Sequence, residues 1–325
     1  MKIIGIGNAL LDVLLRLESD TTLETIGMKK GAMDLIDEAT MRSIQREQSG
    51  LERSEAPGGS VCNTMRALAL LGASVGYIGK VGSDANGRFY TTAIHDAGVI
   101  PHIVQTDGIS GCCTVLMSPD SERTMATFLG PAATLTTEEI TDDVLRMYDC
   151  LYMEGYLISN EQLFHPILRR AKKLGLKIAL DLSNFNIVHG FHEMLHQVIP
   201  EYVDILFSND SEAEAYTGLA PAEAIREIMK DVEYSVVTIG RDGALAGHQG
   251  ETVHVPALSH APVDTTGAGD NFAAGFLYGY SQGLSLKQMA SIGAVMASHV
   301  VETVGPQIPA DRWQQIKLKV GEIIS

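Results

Sequence analysis

Cysteine is scarce. The 325 residues hold four, Cys62, Cys112, Cys113 and Cys150; two are adjacent, and none forms a C-x-x-C pair. That spacing argues against a disulfide framework and against structural zinc, and it fits a reducing cytoplasm. Basic residues are also few, with 24 Lys and Arg against 40 Asp and Glu and a formal net charge of −16. Nucleic acid and anionic membrane both need clustered cations, so the charge argues against either as a partner. No apolar run reaches the ~18 residues of a membrane span, and no basic-then-apolar leader opens the sequence, so a cytoplasmic location is expected. Internal repeats and low-complexity tracts are missing as well. A chain of this length buries roughly three quarters of its unfolded surface and needs no staples.

What the chain does carry is alternation. Short apolar runs at 2–7, 150–153, 177–182, 204–207 and 235–239 read as strands, and 164–174, 190–199 and 220–229 read as helices between them. Strand-helix alternation predicts an α/β fold with a mostly parallel central sheet covered on both faces. Two β-rich runs, 113–117 and 123–128, flank the turn Ser118-Pro119-Asp120-Ser121 and predict a hairpin. Asp37-Glu38-Ala39-Thr40-Met41 reads as a capped helix start.

Two glycine turns open apolar helices. In Asp264-Thr265-Thr266-Gly267-Ala268-Gly269-Asp270 the glycines remove side chains where a ligand would approach the backbone. The amides of the helix's first turn then point at that ligand, and the helix dipole there favours an anion. An acid in such an anion hole is either a base set beside a bound phosphate or a simple helix cap. The second turn is Pro57-Gly58-Gly59-Ser60, with Asn63 about one helical turn on, and Gly72 ends that helix. Asp12 follows the first strand. An acid, a glycine pair and an amide together suit a polyhydroxylated ligand, whose hydroxyls need several fixed partners.

These two elements resemble the two signatures of the ribokinase-like (PfkB) carbohydrate and nucleoside kinases. Residues 72–84 resemble the strand that follows the first signature. Asn209-Asp210-Ser211-Glu212 resembles the family's Asn-x-x-Glu motif, and Thr238-Ile239-Gly240-Arg241-Asp242-Gly243 its nucleotide loop. The five stand in the family's order over nearly the whole chain. The resemblance implies one three-layer α/β/α domain over 1–325, with a small β lid near 13–40 and 100–128. It implies ATP as phosphate donor, Mg²⁺, and K⁺ as in some relatives.

Phosphoryl transfer runs through a loose, highly charged transition state, so positioning and electrostatics dominate. Asp270 is the expected general base, with the N–H groups of Gly267, Ala268 and Gly269 as the anion hole and Thr265 and Thr266 seating the phosphates. Arg123 resembles the arginine that reaches the phosphates from the lid; its alternative is a solvated strand charge. Asn209 and Glu212 are expected to organise Mg²⁺ through water, a role compatible with a helix capping box. Thr238, Gly240 and Gly243 would touch the nucleotide, and the backbone at Asp264 and Gly305 a monovalent cation. Asp12, Gly58, Gly59 and Asn63 would hold the sugar hydroxyls. Glu154 would join them or stand as a solvated strand-end acid.

The acceptor side is most similar to bacterial adenosine kinase-like members, because ribokinases tend to carry Lys where Ser60 stands. The chain departs from the eukaryotic adenosine kinase pattern, which has an Asn where Thr134 or Leu135 falls. A free ribose or hexose remains the alternative acceptor. Fructose 6-phosphate fits less well, since no cationic cluster would hold its phosphate. A monomer or a homodimer through the lid is expected. A distant alternative is zinc hydrolysis, because His192-Glu193-Met194-Leu195-His196 spells H-E-x-x-H.

Overall fold

A computed structural model of the chain describes residues 1–47, 50–120, 122–259 and 261–325. The larger of two sheets has nine strands, in the order Glu251–Val255, Ala244–His248, Tyr234–Thr238, Ile205–Asn209, Lys177–Asp181, Cys150–Glu154, Lys2–Ile6, Ser74–Gly82 and Ile100–Thr106. All neighbours run parallel except at one edge, where Ala244–His248 pairs antiparallel with the strands on both its sides.

Parallel strands need both faces covered, and the side chains divide with period two. Ile3, Tyr152, Ala179 and Phe207 belong to one core, beneath helices Ser60–Leu71, Ala268–Ser281 and Leu286–Val300. Ile4, Leu151, Leu180 and Leu206 belong to the other, beneath helices Phe164–Lys173, His192–Tyr202 and Pro221–Ile228. The predicted strands and helices appear within a few residues of their expected bounds. The stretch predicted as one helix over 190–199 is preceded by a separate short helix, Phe185–Gly190, and runs as His192–Tyr202.

The second sheet has five strands, in the order Met33–Leu35, Arg123–Phe128, Gly111–Met117, Leu10–Arg16 and Arg53–Gly58. The predicted hairpin is present, pairing Cys112 with Phe128 through Met117 with Arg123; Ser121 of its turn lies outside the described residues. The small sheet differs from the expected 13–40 and 100–128 in two ways. It starts at Leu10 and takes in Arg53–Gly58, and Ile100–Thr106 lies on the large sheet beside Ser74–Gly82. The reason is local connectivity. The helix Ala85–Asp96 returns the chain from Ser74–Gly82 to a parallel neighbour, as a strand-helix-strand crossover does.

One face of the small sheet packs Leu11, Val13, Leu15, Cys112 and Leu116 against Met41 and Ile44. The opposite face carries Asp12, whose register partner is Cys113, itself opposite Thr127. Arg123, four residues before Thr127, lies on that same face. The crossovers diverge on either side of Lys2–Ile6, between Ser74–Gly82 and Cys150–Glu154. Ligands bind in open α/β sheets outside the carboxyl ends of strands at such a switch point. All four cysteines are buried. Among the described residues, no helix is long and apolar enough to cross a membrane.

Candidate active site

The helix Ala268–Ser281 starts from Gly267, whose φ is 76°. A Cβ there would come within 2.7 Å of Pro306 Cα, so the turn requires glycine both conformationally and sterically. The Asn271 amide locks the turn by donating to the carbonyls of Gly267 (2.9 Å) and Pro306 (3.1 Å). Phe272, Phe276 and Leu277 anchor the helix in the core. Of the three expected anion-hole amides, Ala268 N–H instead donates to the Thr265 carbonyl at 3.1 Å, which closes the turn. Gly267, Gly269 and Asp270 N–H have no acceptor among the described residues. Asp270 thus supplies an amide as well as a carboxylate.

The helix Ser60–Leu71 packs against this one. Ser60 Oγ donates to Asp270 Oδ1 at 2.6 Å, Asn63 Nδ2 donates to Asp270 Oδ2 at 2.9 Å, and Thr64 Oγ1 donates to the Asp270 carbonyl at 3.2 Å. Asp270 keeps one side accessible but is otherwise enclosed by protein. Burial raises its pKa, and the Ser60 and Asn63 hydrogen bonds oppose that by favouring the ionised form. Asp12 faces the same space from the small sheet. Burial first, and the Asp270 charge second, push Asp12 up to about 7, while Arg123 pulls it down. The repulsion is mutual. Gly58 leaves room for this arrangement, because a Cβ there would overlap the Asp12 carboxylate. Gly59 forms the N-cap of the second helix.

Arg123 is not a solvated strand charge. Its side chain and that of Asp264 are only 12% and 11% exposed, and they form an ion pair that joins the small sheet to the glycine turn. Arg123 Nη1 also donates to Thr266 Oγ1 at 3.1 Å. The remaining acceptors of Asp264 are taken by Gly305 N–H (2.6 Å) and Thr266 N–H (3.0 Å). Gly305 thus enters through its amide, as a donor. The Asp264 carboxylate is satisfied by three protein donors, from Arg123, Gly305 and Thr266. Thr265 lies exposed in the same turn.

Glu154 is not a solvated strand-end acid. It is 1% exposed, accepts from Asn8 N–H (2.9 Å) and Asn8 Nδ2 (2.7 Å), and lies 3.3 Å from Val61 N–H. It fixes the loop after the first strand to the start of the Ser60 helix. Its pKa is pushed up to about 7 by burial, against those donors.

On the far side, Asn209 and Glu212 form a reciprocal capping box. Asn209 Oδ1 accepts from Glu212 N–H (2.9 Å), and Glu212 accepts from Asn209 N–H (2.8 Å) and Nδ2 (2.8 Å). Burial pushes Glu212 up to about 7. Asn209 is the register partner of Thr238, so the Gly240–Gly243 loop, a hairpin by connectivity, opens beside that cap.

Three participants were not singled out from sequence: Ser60, Thr64 and Asp181. Ser60 carried a signal, since it directly follows the glycine pair at a helix start. Asp181 ends its strand, where such sheets place functional groups; burial and the charges of Glu212 and Asp270 hold it well above the carboxylate range. Thr64 shows no separate sequence signal.

The H-E-x-x-H element lies on the helix His192–Tyr202, in the layer across the large sheet from the Asp270 helix. Among the described residues, no group of three or more His, Cys, Asp or Glu side chains is placed to hold a metal ion.

Comparison with known proteins agrees with this geometry. The sequence pattern of the family described as "pfkB family carbohydrate kinase" matches residues 21–313. A probable sugar kinase from Rhizobium etli superposes with a TM-score of 0.89 at 30% identity, over 98% of both chains. An adenosine kinase from Sinorhizobium meliloti superposes with a TM-score of 0.87 at 32% identity, again over 98% of both. The adenosine kinase of Saccharomyces cerevisiae is 28% identical over 95% of this chain and 97% of its own. These relatives are kinases, and they give the zinc-hydrolase alternative no support.

Proposed function

The chain belongs to the pfkB carbohydrate kinase family and is a sugar or nucleoside kinase, and on that premise we propose that it phosphorylates a primary hydroxyl of a ribose-containing nucleoside, adenosine first among them, from ATP. One observation carries this reading: Asp270 stands at a helix N-terminus with bare amides beside it, oriented by Ser60 and Asn63 and faced by Asp12.

The acceptor's sugar hydroxyls would lie between Asp12 and Asn63, with Gly58 and Gly59 allowing close approach. Asp270 would take the proton of the attacking hydroxyl, a contribution of ~10²–10⁴-fold. Burial raises its pKa and strengthens it as a base, while the hydrogen bonds from Ser60 and Asn63 favour its ionised form. The amides of Gly267, Gly269 and Asp270 would receive charge on the transferring phosphoryl group. Arg123 would reach the same phosphates from the small sheet, which acts as a lid and excludes water from the reaction. Thr265 and Thr266 border this phosphate path.

The nucleotide would lie over Thr238, Gly240 and Gly243. Mg²⁺ fits the donor set on that side. Asp181 and Glu212 are hard oxygen donors; burial first, and the Glu212 charge second, raise the pKa of Asp181, and a divalent cation would offset both. Glu212 and Asn209 would hold it through water, and when bound it neutralises phosphate charge.

The test is a panel of adenosine, inosine, ribose and fructose with Mg-ATP, read as ADP release and product mass. Adenosine should give the highest kcat/KM; a preference for free ribose or fructose would move the acceptor to a sugar. Asp270→Asn should lower kcat by at least ~10²-fold while leaving ATP and acceptor binding in place. Retained turnover would remove Asp270 as the base.

A further inference from the structure

The helix His192–Tyr202 carries a feature that phosphoryl transfer does not use. His192 and His196, one turn apart and both exposed, place their Nε2 atoms 3.2 Å from each other. His196 Nε2 also lies 3.0 Å from the Tyr216 carbonyl oxygen. The Tyr216 ring stacks on His196 with centroids 4.2 Å apart and planes within 13°, which fixes the rotamer of that imidazole. The same open pocket is lined by His189, Glu214, Glu227 and Asp231.

We propose that His192, His196 and the Tyr216 carbonyl form a binding site for one divalent transition-metal ion of the zinc–copper class, separate from the phosphoryl-transfer site. Two imidazole nitrogens on one tetrahedral zinc, at 2.0–2.1 Å each, stand roughly 3.3 Å apart. The observed 3.2 Å matches that span. The Tyr216 carbonyl belongs to the last turn of the helix Asp210–Thr217, where carbonyls lack helical partners and the dipole end is negative, so it suits a cation. The carboxylates of the pocket add a negative field. Two side chains and a carbonyl leave coordination positions for water, which is why no cluster of three side-chain ligands is required. Without metal, His196 Nε2–H donates to the Tyr216 carbonyl. Binding moves that proton to Nδ1, so the imidazole stays neutral and no proton is released. Imidazole donors favour zinc or copper over the hard Mg²⁺ that serves ATP. The bound ion ties the end of the Asp210–Thr217 helix to its neighbour, and the other end of that helix carries the Asn209–Glu212 cap.

Calorimetric titration of Zn²⁺, Cu²⁺ and Mg²⁺ into the EDTA-treated full chain tests this, with the visible absorption of bound Co²⁺ as a second readout. One equivalent of Zn²⁺ should bind, Cu²⁺ should bind more tightly, and millimolar Mg²⁺ should not compete. His192→Gln and His196→Gln should each weaken Zn²⁺ binding at least tenfold, and Asp270→Asn should leave it unchanged. Because these readouts do not involve turnover, the result stands apart from the kinase assignment. Zn²⁺ binding that survives the double His→Gln variant would overturn the site. So would binding abolished by Asp270→Asn, or no binding by the unaltered chain at millimolar Zn²⁺.

Discussion

Replacing Asp12 by Asn should stabilise the folded protein at alkaline pH while damaging the reaction. Asp12 sits near 7 because it is buried opposite Asp270, whereas an unfolded aspartate titrates near 3.9. A gap of that size corresponds at pH 8 to about 4 kcal/mol of cost for the ionised native state. The carboxylate faces a cleft on one side, and solvent screening reduces the figure to roughly 1–2 kcal/mol. With an unfolding entropy of ~2.1 cal/mol/K per residue, a chain of 325 residues should gain about 1.5–3 °C in Tm. The sign follows from proton counting. The native state holds its proton longer than the unfolded state, so wild-type stability falls as pH rises from about 4 to about 7. Asn has no proton to lose. The advantage of the variant should therefore be full at pH 8, about half at pH 5.5, and absent near pH 4. Scanning calorimetry of both proteins without ligand at the three pH values measures this, and the acceptor KM of the variant should rise in parallel. A Tm difference independent of pH, or a variant less stable at pH 8, would refute the carboxylate-pair account.

For Asp270, the raised pKa places the acidic limb of the kcat/KM profile above the ordinary carboxylate range, with activity rising as pH increases through it; a limb at or below pH 4 would contradict a desolvated base. Arg123→Met removes the partner of Asp264 together with the proposed phosphate contact, so kcat should fall ~10²–10³-fold in steady-state assays of ADP release. Gly267→Ala meets both a left-handed φ and Pro306; it should cost about 1–3 kcal/mol, read as a lower Tm, and weaken ATP binding in titration. Asn209→Ala loses the capping box and should destabilise by about 1 kcal/mol, with a larger effect on the Mg-ATP dependence than on the acceptor KM.

The parts legible in the sequence were those set by local rules. Apolar runs and their spacing placed the central strands, because a strand buried on both faces must be apolar throughout. Gly58-Gly59 and Gly267-Ala268-Gly269 were legible because a backbone turn that opens a helix leaves few residue choices. The small sheet was harder. Its strands Leu10–Arg16 and Arg53–Gly58 are brought together by long-range pairing, and nothing local separates Ile100–Thr106, which joins the other sheet, from the hairpin that follows it.

Side-chain placement was legible only where a local motif fixes a residue irrespective of its neighbours. Asp270 is such a case: an acid in the first turn of a helix opened by a glycine turn must sit beside that turn's free amides. Glu154, Asp264 and Asp181 are the opposite case, since their roles depend on which donors reach them. Asn8 and Val61 engage Glu154, Arg123 and Gly305 engage Asp264, and Glu212 crowds Asp181. The chain is acidic overall, and the cleft concentrates that excess: Asp12, Asp181, Glu212 and Asp270 gather there, with Arg123 as an opposing charge beside Asp12. A cleft so charged would repel a bare polyphosphate. Bound anion must therefore bring its own divalent counter-ion, and raising Mg²⁺ at fixed ATP should increase the rate until the free nucleotide is exhausted. A rate maximal without Mg²⁺ would show that Arg123 and the helix amides carry the phosphate charge unaided.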